Sequence, residues 1–388
     1  MKILKVTGGY PPAEKQGGTA IVGHALSLAL KKNGQQVKVL TTNINGDEHL
    51  PWTNEWREWD GVEVFYAKGS KTFFSHYSPE LLKQCKKLLP EVDIVLISSV
   101  WTWYGVKVGK ACQKAGVPYV MYSHGTRAQD RVKMQGRIKK TLWWHIFDRK
   151  LYDNAALIVA ITQEEKEELK SIGVKAPIEV IPNGIGSSPH VDNAREHIKK
   201  RYGIKNDSEI VFFLGRIEPI KGVDIAIKAM QKVAAQCSNA ILVVAGPEKD
   251  GLQREMEQLA ESLGLSEKII FTGSVKGDDK WALFQEAEVL VLPSITEVLA
   301  MSVLEALECG VPVVLTQKHA WPEIIEAEAG IITDRNPQAV ADALIKLLSD
   351  EKLRVSMGCK GKKLVEEKFR WPKIAQRTVD ICQTLISK

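Results

Sequence analysis

The chain has 388 residues, of which 44% are hydrophobic and 26% charged, a length and composition that favour two globular domains and exclude long disordered segments. Its formal net charge of +6 is uneven, because residues 1–186 carry 26 lysines and arginines against 18 acidic residues, whereas the remainder carries 27 against 29. The six cysteines form no C-x-x-C pair and no cluster with histidine, so neither a disulfide framework nor a zinc site is indicated.

The amino terminus, MKILKVTGGY, reaches a glycine pair too early to hold the apolar core of a signal peptide. No apolar run approaches the length that crosses a bilayer. We therefore expect a cytoplasmic protein in a reducing compartment.

The first half opens with a short apolar strand, Ile3 to Val6, then a loop rich in glycine and proline, an amphipathic helix and a second strand from Val37 to Thr42. This βαβ order is typical of nucleotide-binding α/β folds. The loop lacks G-x-G-x-x-G, which disfavours a tightly bound dinucleotide. Gly17 and Gly18 precede the helix and, having no Cβ, let a ligand approach the backbone; the alternative is a flexible turn.

The same alternation of strands and helices continues to residue 184. The strand VPYVMYSHG runs into Ser123, His124 and Gly125, so His124 lies at the carboxyl end of a strand, where ligands of open α/β sheets are held. A packing or capping role for this histidine is the alternative.

A basic segment follows, since residues 122–150 hold eight basic and two acidic side chains. Basic residues interleaved with tryptophan suit an anionic membrane face or a phosphate-bearing acceptor, although a solvated helix face is an equal alternative. Nucleic acid is less favoured, because no nucleic-acid-binding motif accompanies the charges. The candidate acceptor or membrane contacts are Arg127, Arg131, Arg137, Lys139, Lys140, Trp143 and Trp144.

The polar stretch at 185–193 has glycine, proline and no periodicity, and is the best candidate for a linker. We therefore expect an amino-terminal domain of residues 1–187, a second domain of residues 188–368 and a closing helix within 369–388. Both domains are expected to be parallel-sheet α/β units.

In the second domain the strand EIVFFLG leads into RIEPIKG, so Arg216 and Lys221 lie at or beyond its carboxyl end. Residues 288–317 read as strand, loop, helix and strand, with Ser294 as the expected helix cap, Glu297 in the loop and Glu305 about a turn into the helix. Parallel strands end at one edge, so these cations and carboxylates are predicted to converge, and with the helix amino terminus they suit a diphosphate and sugar hydroxyls. An ordinary βαβ unit with surface charges is the alternative.

Five motifs of the second half, in this order, resemble the retaining glycosyltransferases of family four, which have the GT-B architecture. They are IPNG (181–184), GRIEPIKG (215–222), VVAGP (243–247), FTGSV (271–275) and PSITEVLAMSVLEALECGVPVV (293–314). The first half matches more loosely, through the Gly17-Gly18 loop, SHG at 123–125 and the segment 161–174.

The resemblance implies specific roles. Glu297 and Glu305 look like the family's E-x7-E pair, facing the donor hexose and holding the ribose, and Arg216 and Lys221 look like its diphosphate clamp. His124 is implied near the donor sugar. The further implied donor contacts are the base-binding backbone of Val275, the Gly17-Gly18 loop over the phosphates, and the loop amides of Leu299, Ala300, Met301 and Ser302. The chain departs from the pattern at Val298-Leu299-Ala300, where the family usually has a small residue, Phe or Leu, and then Gly or Pro.

These features lead us to expect a metal-independent enzyme without cofactor that moves a hexose from a nucleotide diphosphate sugar to a hydroxyl of a glycan or lipid-linked acceptor, with retention. UDP-hexose is the first expectation for the donor and GDP-mannose the second. No D-x-D occurs at a strand end, the feature of metal-dependent enzymes of the other main fold. The alternatives are a GT-B epimerase or hydrolase and a noncatalytic nucleotide-sugar-binding module. A peripheral position on the inner membrane face is expected if the basic segment binds lipid.

Overall fold

A computed structural model describes residues 1–71, 76–98, 101–125, 141–248, 251–316 and 321–387. The chain forms two compact units, one made of residues 1–184 and 370–388 and the other of residues 185–369. The first unit is therefore discontinuous in sequence. The chain leaves it at Gly184, whereas the sequence placed the boundary at 187, and returns to it at Arg370.

Unit 1 is a three-layer α/β structure. Its strands are β1 (Lys2–Thr7), β2 (Gln36–Thr42), β3 (Ile44–Asn45), β4 (Glu48–His49), β5 (Glu55–Trp59), β6 (Val62–Ala67), β7 (Ser70–Lys71), β8 (His76–Tyr77), β9 (Ile94–Ser98), β10 (Tyr119–Tyr122), β11 (Leu157–Ala160) and β12 (Ile178–Val180). Among the described residues, eight of these form one sheet in the order β12-β11-β10-β9-β1-β2-β6-β5, parallel except for the antiparallel edge pair β5 and β6. The pairs β3-β4 and β7-β8 are short antiparallel ribbons.

The described α-helices of unit 1 that precede the crossing to unit 2 are α1 (Gly18–Lys32), α2 (Pro79–Leu88), α3 (Trp103–Ala115), α4 (Arg149–Asp153, continuing a π-helical turn at Trp144–Asp148) and α5 (Gln163–Ser171). Central strands such as β9, with the sequence IVLI, are buried on both faces, as expected for a parallel sheet covered by helices. Two apolar cores result, one on each face of the sheet.

Unit 2 is a smaller parallel α/β structure. Its elements are α6 (Ala194–Tyr202), β13 (Glu209–Leu214), α7 (Val223–Gln236), β14 (Ala240–Ala245), α8 (Leu252–Ser262), β15 (Ile269–Gly273), α9 (Gly277–Glu286), β16 (Ala287–Leu292), α10 (Met301–Cys309), β17 (Val313–Thr316), α11 (Pro322–Glu326), β18 (Gly330–Thr333), α12 (Pro337–Ser349) and α13 (Glu351–Leu364). In the described part of the chain, the six strands form one parallel sheet in the order β15-β14-β13-β16-β17-β18.

The strand order of unit 2 reverses between β13 and β16, because β14 and β15 extend to one side of β13 while β17 and β18 extend to the other. In open parallel sheets the crevice outside the carboxyl ends of the strands at such a reversal is the usual ligand site. The loops that follow β13 and β16 therefore flank the expected position of a ligand in this unit.

The chain closes with α14 (Trp371–Ile386), which belongs to unit 1 and begins with Pro372 in its first turn, where a missing N–H costs no hydrogen bond. Ile374, Ala375 and Val379 bury one face of α14 in the core that also holds α1. Helix α14 therefore completes one of the two cores of unit 1. Among the described helices none is both long and apolar enough to cross a membrane.

Candidate functional site

The two loops that flank the strand reversal of unit 2 approach each other closely. Gly222 ends the β13 loop with φ of 75°, and a Cβ there would lie 2.2 Å from the Pro293 carbonyl oxygen of the β16 loop. The amide of Ile295 donates to the Ile220 carbonyl at 2.7 Å. Only glycine meets both the left-handed backbone and the contact at position 222. The sequence K-G at 221–222 thus brings Lys221 against the loop that carries Glu297.

Lys221 and Glu297 form an ion pair at this edge of the sheet, in which Lys221 Nζ donates to Glu297 Oε1. The two side chains are only 14% and 7% exposed. Ser294 Oγ donates to the same carboxylate oxygen at 3.0 Å, and Thr316 Oγ1 donates to the Ser294 carbonyl at 2.7 Å. Because an ammonium has three protons, Lys221 can hold Glu297 and still donate to an anionic ligand.

Arg216 also lies beyond the carboxyl end of β13, but its guanidinium Nη2 pairs with Glu218 at 2.9 Å, and its side chain is 64% exposed. The predicted convergence of a cation and a glutamate is therefore confirmed for Lys221 and Glu297, whereas the Arg216 guanidinium pairs with Glu218. The physical reason is local: Glu218 follows Arg216 by two residues, and an exposed arginine pairs with the nearest carboxylate. Arg216 still lies at the sheet edge where a phosphate would bind.

Glu305 is the fifth residue of α10, close to the helical position that the sequence indicated. Its carboxylate accepts from Lys280 Nζ at 2.7 Å rather than from Arg216 or Lys221. Burial raises the pKa of Glu305, and the Lys280 ammonium opposes this rise. Lys280 Nζ also lies 4.2 Å from the centre of the Trp281 ring. Lys280 belongs to no motif in the sequence, so its pairing with Glu305 was not predicted.

Helix α10 begins at Met301, so the expectation that Ser294 caps it is wrong. The N-cap is Ala300, which has no side-chain oxygen, and no side chain caps this end. The first N–H groups of a helix have no intrahelical acceptor and suit an anion. The binding of the sugar donor's phosphates by the amides of Met301 and Ser302 stays a prediction. Leu299, Ala300 and Met301 are half-buried against the core of unit 2.

Two further predicted donor contacts lie in loops. Val275 is buried between β15 and α9, so only its backbone is available to a ligand. Gly17 and Gly18, at the start of α1, are exposed, and a Cβ at either position would meet no atom within 4 Å. Gly17 has φ of 74°, which a glycine adopts without strain. The backbone is accessible at this glycine pair. The structure is therefore compatible with both interpretations, a loop that a ligand approaches and a flexible turn.

His124 follows β10 in the loop Ser123–Gly125 and has φ of 49°, an uncommon value for a residue with a side chain. Its ring stacks on Tyr122 with centroids 5.8 Å apart. Burial and the charge of Lys5 lower the pKa of His124 to about 3, so the imidazole is neutral at physiological pH.

Lys5 lies in the middle of β1, fully buried, with its Nζ 5.5 Å from the centre of the Tyr122 ring. Among the described residues its ammonium has no hydrogen-bond partner. Burial lowers the pKa of Lys5 to about 8. A lysine within an apolar strand run was the sequence signal that could have identified this unusual group.

Trp143 and Trp144 are buried, at 4% and 2% exposure, and belong to a core of unit 1. Trp143 Nε1 donates to the buried Asp148 at 3.0 Å. Their predicted role as acceptor or membrane contacts is therefore wrong, because the helical segment turns its tryptophans inward. The predicted contacts Arg127, Arg131, Arg137, Lys139 and Lys140 lie outside the described residues. Leu142 and Ile146 of the same segment are exposed, at 54% and 49%.

In the described ranges no three side chains of the His, Cys, Asp and Glu types group so as to hold a metal ion. What the edge of unit 2 offers instead is a lysine paired with a buried glutamate, an uncapped helix start and a second, half-buried glutamate. These groups can bind an anion together with hydroxyl groups.

Comparison with known proteins agrees with this chemistry. Residues 194–364 match the family described as glycosyl transferases group 1, and residues 16–188 match glycosyltransferase family 4. The chain belongs to these glycosyltransferases. It is 29% identical to an uncharacterized glycosyltransferase of Methanocaldococcus jannaschii, across 98% of this chain and 97% of the other. It is also 25% identical to a GDP-mannose-dependent alpha-(1-6)-phosphatidylinositol monomannoside mannosyltransferase of Mycolicibacterium smegmatis, across 81% and 85%.

Among solved structures, HepE of Anabaena in complex with UDP and glucose superposes with a TM-score of 0.77 at 19% identity, covering 99% of this chain and 100% of the other. This likeness shows the fold. The predicted GT-B class, with two parallel-sheet Rossmann-like units, is confirmed.

Proposed function

We propose that this glycosyltransferase moves a hexose from a nucleotide diphosphate sugar to a hydroxyl of a glycan or lipid-linked acceptor, with retention at the anomeric carbon, in the synthesis of cell-surface polysaccharide or glycolipid. The observation that carries the proposal is the buried Lys221–Glu297 pair at the strand reversal of unit 2, beside the uncapped start of α10. This is where an open parallel sheet binds a ligand, and the groups match a sugar diphosphate.

The proposed division of roles follows the charges. Lys221, Arg216 and the amides of Met301 and Ser302 bind the diphosphate, and Glu305 accepts hydrogen bonds from ribose hydroxyls. Glu297, held by Lys221 and Ser294, accepts from hydroxyls of the hexose. A carboxylate carries several lone pairs on its two oxygens, so it can accept from such hydroxyls in addition to Lys221 and Ser294.

In the proposed reaction the bond from the anomeric carbon to the phosphate oxygen breaks and a bond to the acceptor oxygen forms on the same face. The acceptor proton goes to the departing phosphate oxygen, so no protein base is required. Charge grows on the β-phosphate, and a fixed cation and fixed amides stabilise it more than they stabilise the ground state. This scheme needs no metal, since Lys221, Arg216 and the helix amides supply the positive charge.

For the donor we propose a UDP-hexose first and GDP-mannose second. The first choice is supported by the fold neighbour HepE, whose structure holds UDP and glucose, and the second by the relative named as GDP-mannose-dependent. A thermal-shift panel separates them, because a ligand at 100 times its Kd adds about 2.7 kcal/mol of stability. We expect one nucleotide sugar and its nucleoside diphosphate to raise the melting temperature, and the matching monophosphate to raise it less. No shift with any nucleotide sugar would contradict the donor site.

For the acceptor side we propose peripheral attachment at the inner membrane face through the segment that contains residues 127–150. The support is the pair Leu142 and Ile146, exposed about one helical turn apart, in a segment whose sequence carries eight basic residues. Exposed apolar side chains beside basic ones are typical of interfacial helices.

The membrane proposal is tested by co-sedimentation with vesicles of 30% phosphatidylserine, where 30% is our choice of roughly physiological anionic content. We expect binding that weakens with salt and that Leu142→Ser/Ile146→Ser reduces. Val355→Ser is the matched control, since Val355 is also exposed, at 58%, but lies on α13 of unit 2. Equal binding to neutral vesicles, or no effect of the double substitution, would contradict attachment through this segment.

A further inference from the structure

The backbone of the His124 loop is held in an uncommon conformation. His124 has φ of 49° and Gly125 has φ of 66°, so two consecutive residues are left-handed. For a residue with a Cβ this region costs roughly 1–2 kcal/mol, and surrounding contacts must hold it there. The loop follows β10, at the same end of the sheet as the start of α5, which follows β11.

A buried glutamate on α5 makes those contacts. Glu165 is 2% exposed, and its Oε1 accepts from Ser123 Oγ at 2.7 Å and from the amide of Gly125. Its second oxygen, Oε2, accepts from the amide of Ile161 at 2.7 Å. Because Ser123 and Gly125 are the two chain neighbours of His124, a single carboxylate oxygen joins the side chain of the preceding residue to the backbone of the following one.

The Ser123 hydroxyl has two acceptors within reach but one proton to donate. The Val159 carbonyl lies at 3.2 Å and the Glu165 carboxylate at 2.7 Å. The shorter, charge-assisted bond is the stronger one, so the proton goes to Glu165. The amide of Ser123 meanwhile donates to Val159 at 3.2 Å, which ties the start of the loop to β11.

We propose that Glu165 is a positioning residue that fixes the His124 imidazole for its contact with the substrate. The inference rests on the proposed function and on the position near the donor sugar that the family resemblance implies for His124. Without the carboxylate, the hydroxyl of Ser123 and the amide of Gly125 lose their shared acceptor, and His124 is free to move to the right-handed region. That change of about 110° in φ carries the ring away from Tyr122. Displacement of a substrate-binding group by about 1 Å can cost on the order of 100-fold in rate.

The activity test compares Glu165→Ala, His124→Ala and the double variant. We expect Glu165→Ala to lower kcat about 30- to 100-fold while the Kd for nucleoside diphosphate, which reports on unit 2, stays within about twofold. The double variant is expected to be no slower than His124→Ala, because Glu165 acts through His124. Glu165→Gln keeps one acceptor oxygen and is expected to recover part of kcat.

Thr162→Ala is the matched control. Thr162 is the N-cap of α5, and its Oγ1 accepts from the Glu165 amide at 3.2 Å, so the substitution weakens the same helix end by about 1 kcal/mol but leaves the carboxylate in place. We expect wild-type kcat for this variant. A loss equal to that of Glu165→Ala would mean that helix stability alone matters, and would overturn the inference.

A second readout does not depend on turnover. In protein with labelled histidine, the ring protons of His124 are shifted by the ring current of Tyr122, and we expect Glu165→Ala and Glu165→Gln to move these resonances while Thr162→Ala does not. Unmoved resonances in Glu165→Ala overturn the inference whatever the enzyme does. If Glu165→Ala is fully active while His124→Ala has low activity, the inference about Glu165 is overturned but the role of His124 stands. If His124→Ala is fully active, the role of the histidine is overturned as well.

Discussion

Glu297 and Glu165 are both buried glutamates beside loops at the carboxyl edge of a parallel sheet, one in each unit, and their partners differ. Glu297 is paired with the ammonium of Lys221 and the hydroxyl of Ser294. Glu165 accepts from a hydroxyl and from two backbone amides. A carboxylate paired with an ammonium, which has three protons, can share that partner with a ligand, whereas a carboxylate that holds backbone amides fixes a loop. In our proposals the same residue type therefore serves binding in unit 2 and positioning in unit 1.

The two lysines beside these loops differ in the same way. Lys221 has a carboxylate partner, whereas Lys5 is fully buried and has no hydrogen-bond partner in the part of the chain that the structure describes. An unpaired buried ammonium opposes folding, because the charge has lost its water. The comparison predicts that removing Lys221 lowers both transfer activity and stability, whereas removing Lys5 raises stability.

The largest effect is expected from Lys221→Met. Loss of a fixed donor to the growing charge of the leaving phosphate should lower transfer about 10²- to 10³-fold. The variant also leaves Glu297 buried without its cation, which costs about 3–5 kcal/mol of stability. Initial rates and denaturant unfolding measure the two effects.

The double variant Lys221→Met/Glu297→Gln separates these two losses. It removes the buried charge, so stability should recover while transfer stays low. If Lys221→Met transferred at the wild-type rate with saturating donor, Lys221 would have no role in leaving-group stabilisation.

The next effect is expected from Lys5→Met, which we expect to stabilise the protein by about 3 kcal/mol at pH 7, the free energy equivalent of a pKa lowered from 10.5 to about 8. Below pH 8 the folded and unfolded states are both protonated, so the full penalty of the buried charge applies. Between pH 8 and about 10.5 only the unfolded state keeps the proton, and the penalty fades as pH rises.

Urea unfolding of wild type and Lys5→Met at pH 7 and pH 10 measures this difference. The advantage of the variant should shrink at the higher pH. An advantage that is absent at pH 7, or that grows with pH, would show that Lys5 is compensated in the folded protein.

The smallest effect is expected from Glu305→Gln, about a tenfold loss of donor affinity, since one charge-assisted hydrogen bond becomes neutral. Because burial raises the pKa of Glu305, wild-type affinity should begin to fall on acidification at a higher pH than an ordinary glutamate would give. Calorimetric titration against pH measures it. Glu305→Gln should lack this fall in donor affinity at low pH. The same fall in both proteins would assign the titration to another group.

Much of the fold could be predicted from the sequence, because short apolar runs closed by glycine or proline mark buried parallel strands. Lys221, Glu297 and Glu305 could be found because each follows a strand and parallel strands end at one edge. The start of α10 was misjudged, since Ser294 has the right side chain for a cap but the loop runs on to Ala300.

The remaining misses depend on tertiary contacts. The pairing of Glu305 with Lys280 joins two different helices and is decided by side-chain reach, which spacing does not encode. Trp143 and Trp144 lie within a basic segment, yet they face the core of unit 1. The T-x-x-E sequence at 162–165 is a helix-start signature, but its use as a bridge around His124 depends on the pairing of β10 with β11.

The most direct test of the proposed function is the transfer of labelled hexose from UDP-hexoses and GDP-mannose to a membrane lipid and glycan extract, with EDTA present throughout. We predict transfer by the wild type from one of these donors into the extract, undiminished by EDTA and lost in Lys221→Met. Donor binding without transfer to any acceptor fraction, or conversion of the donor alone in the absence of acceptor, would contradict a glycosyl transfer reaction at this site.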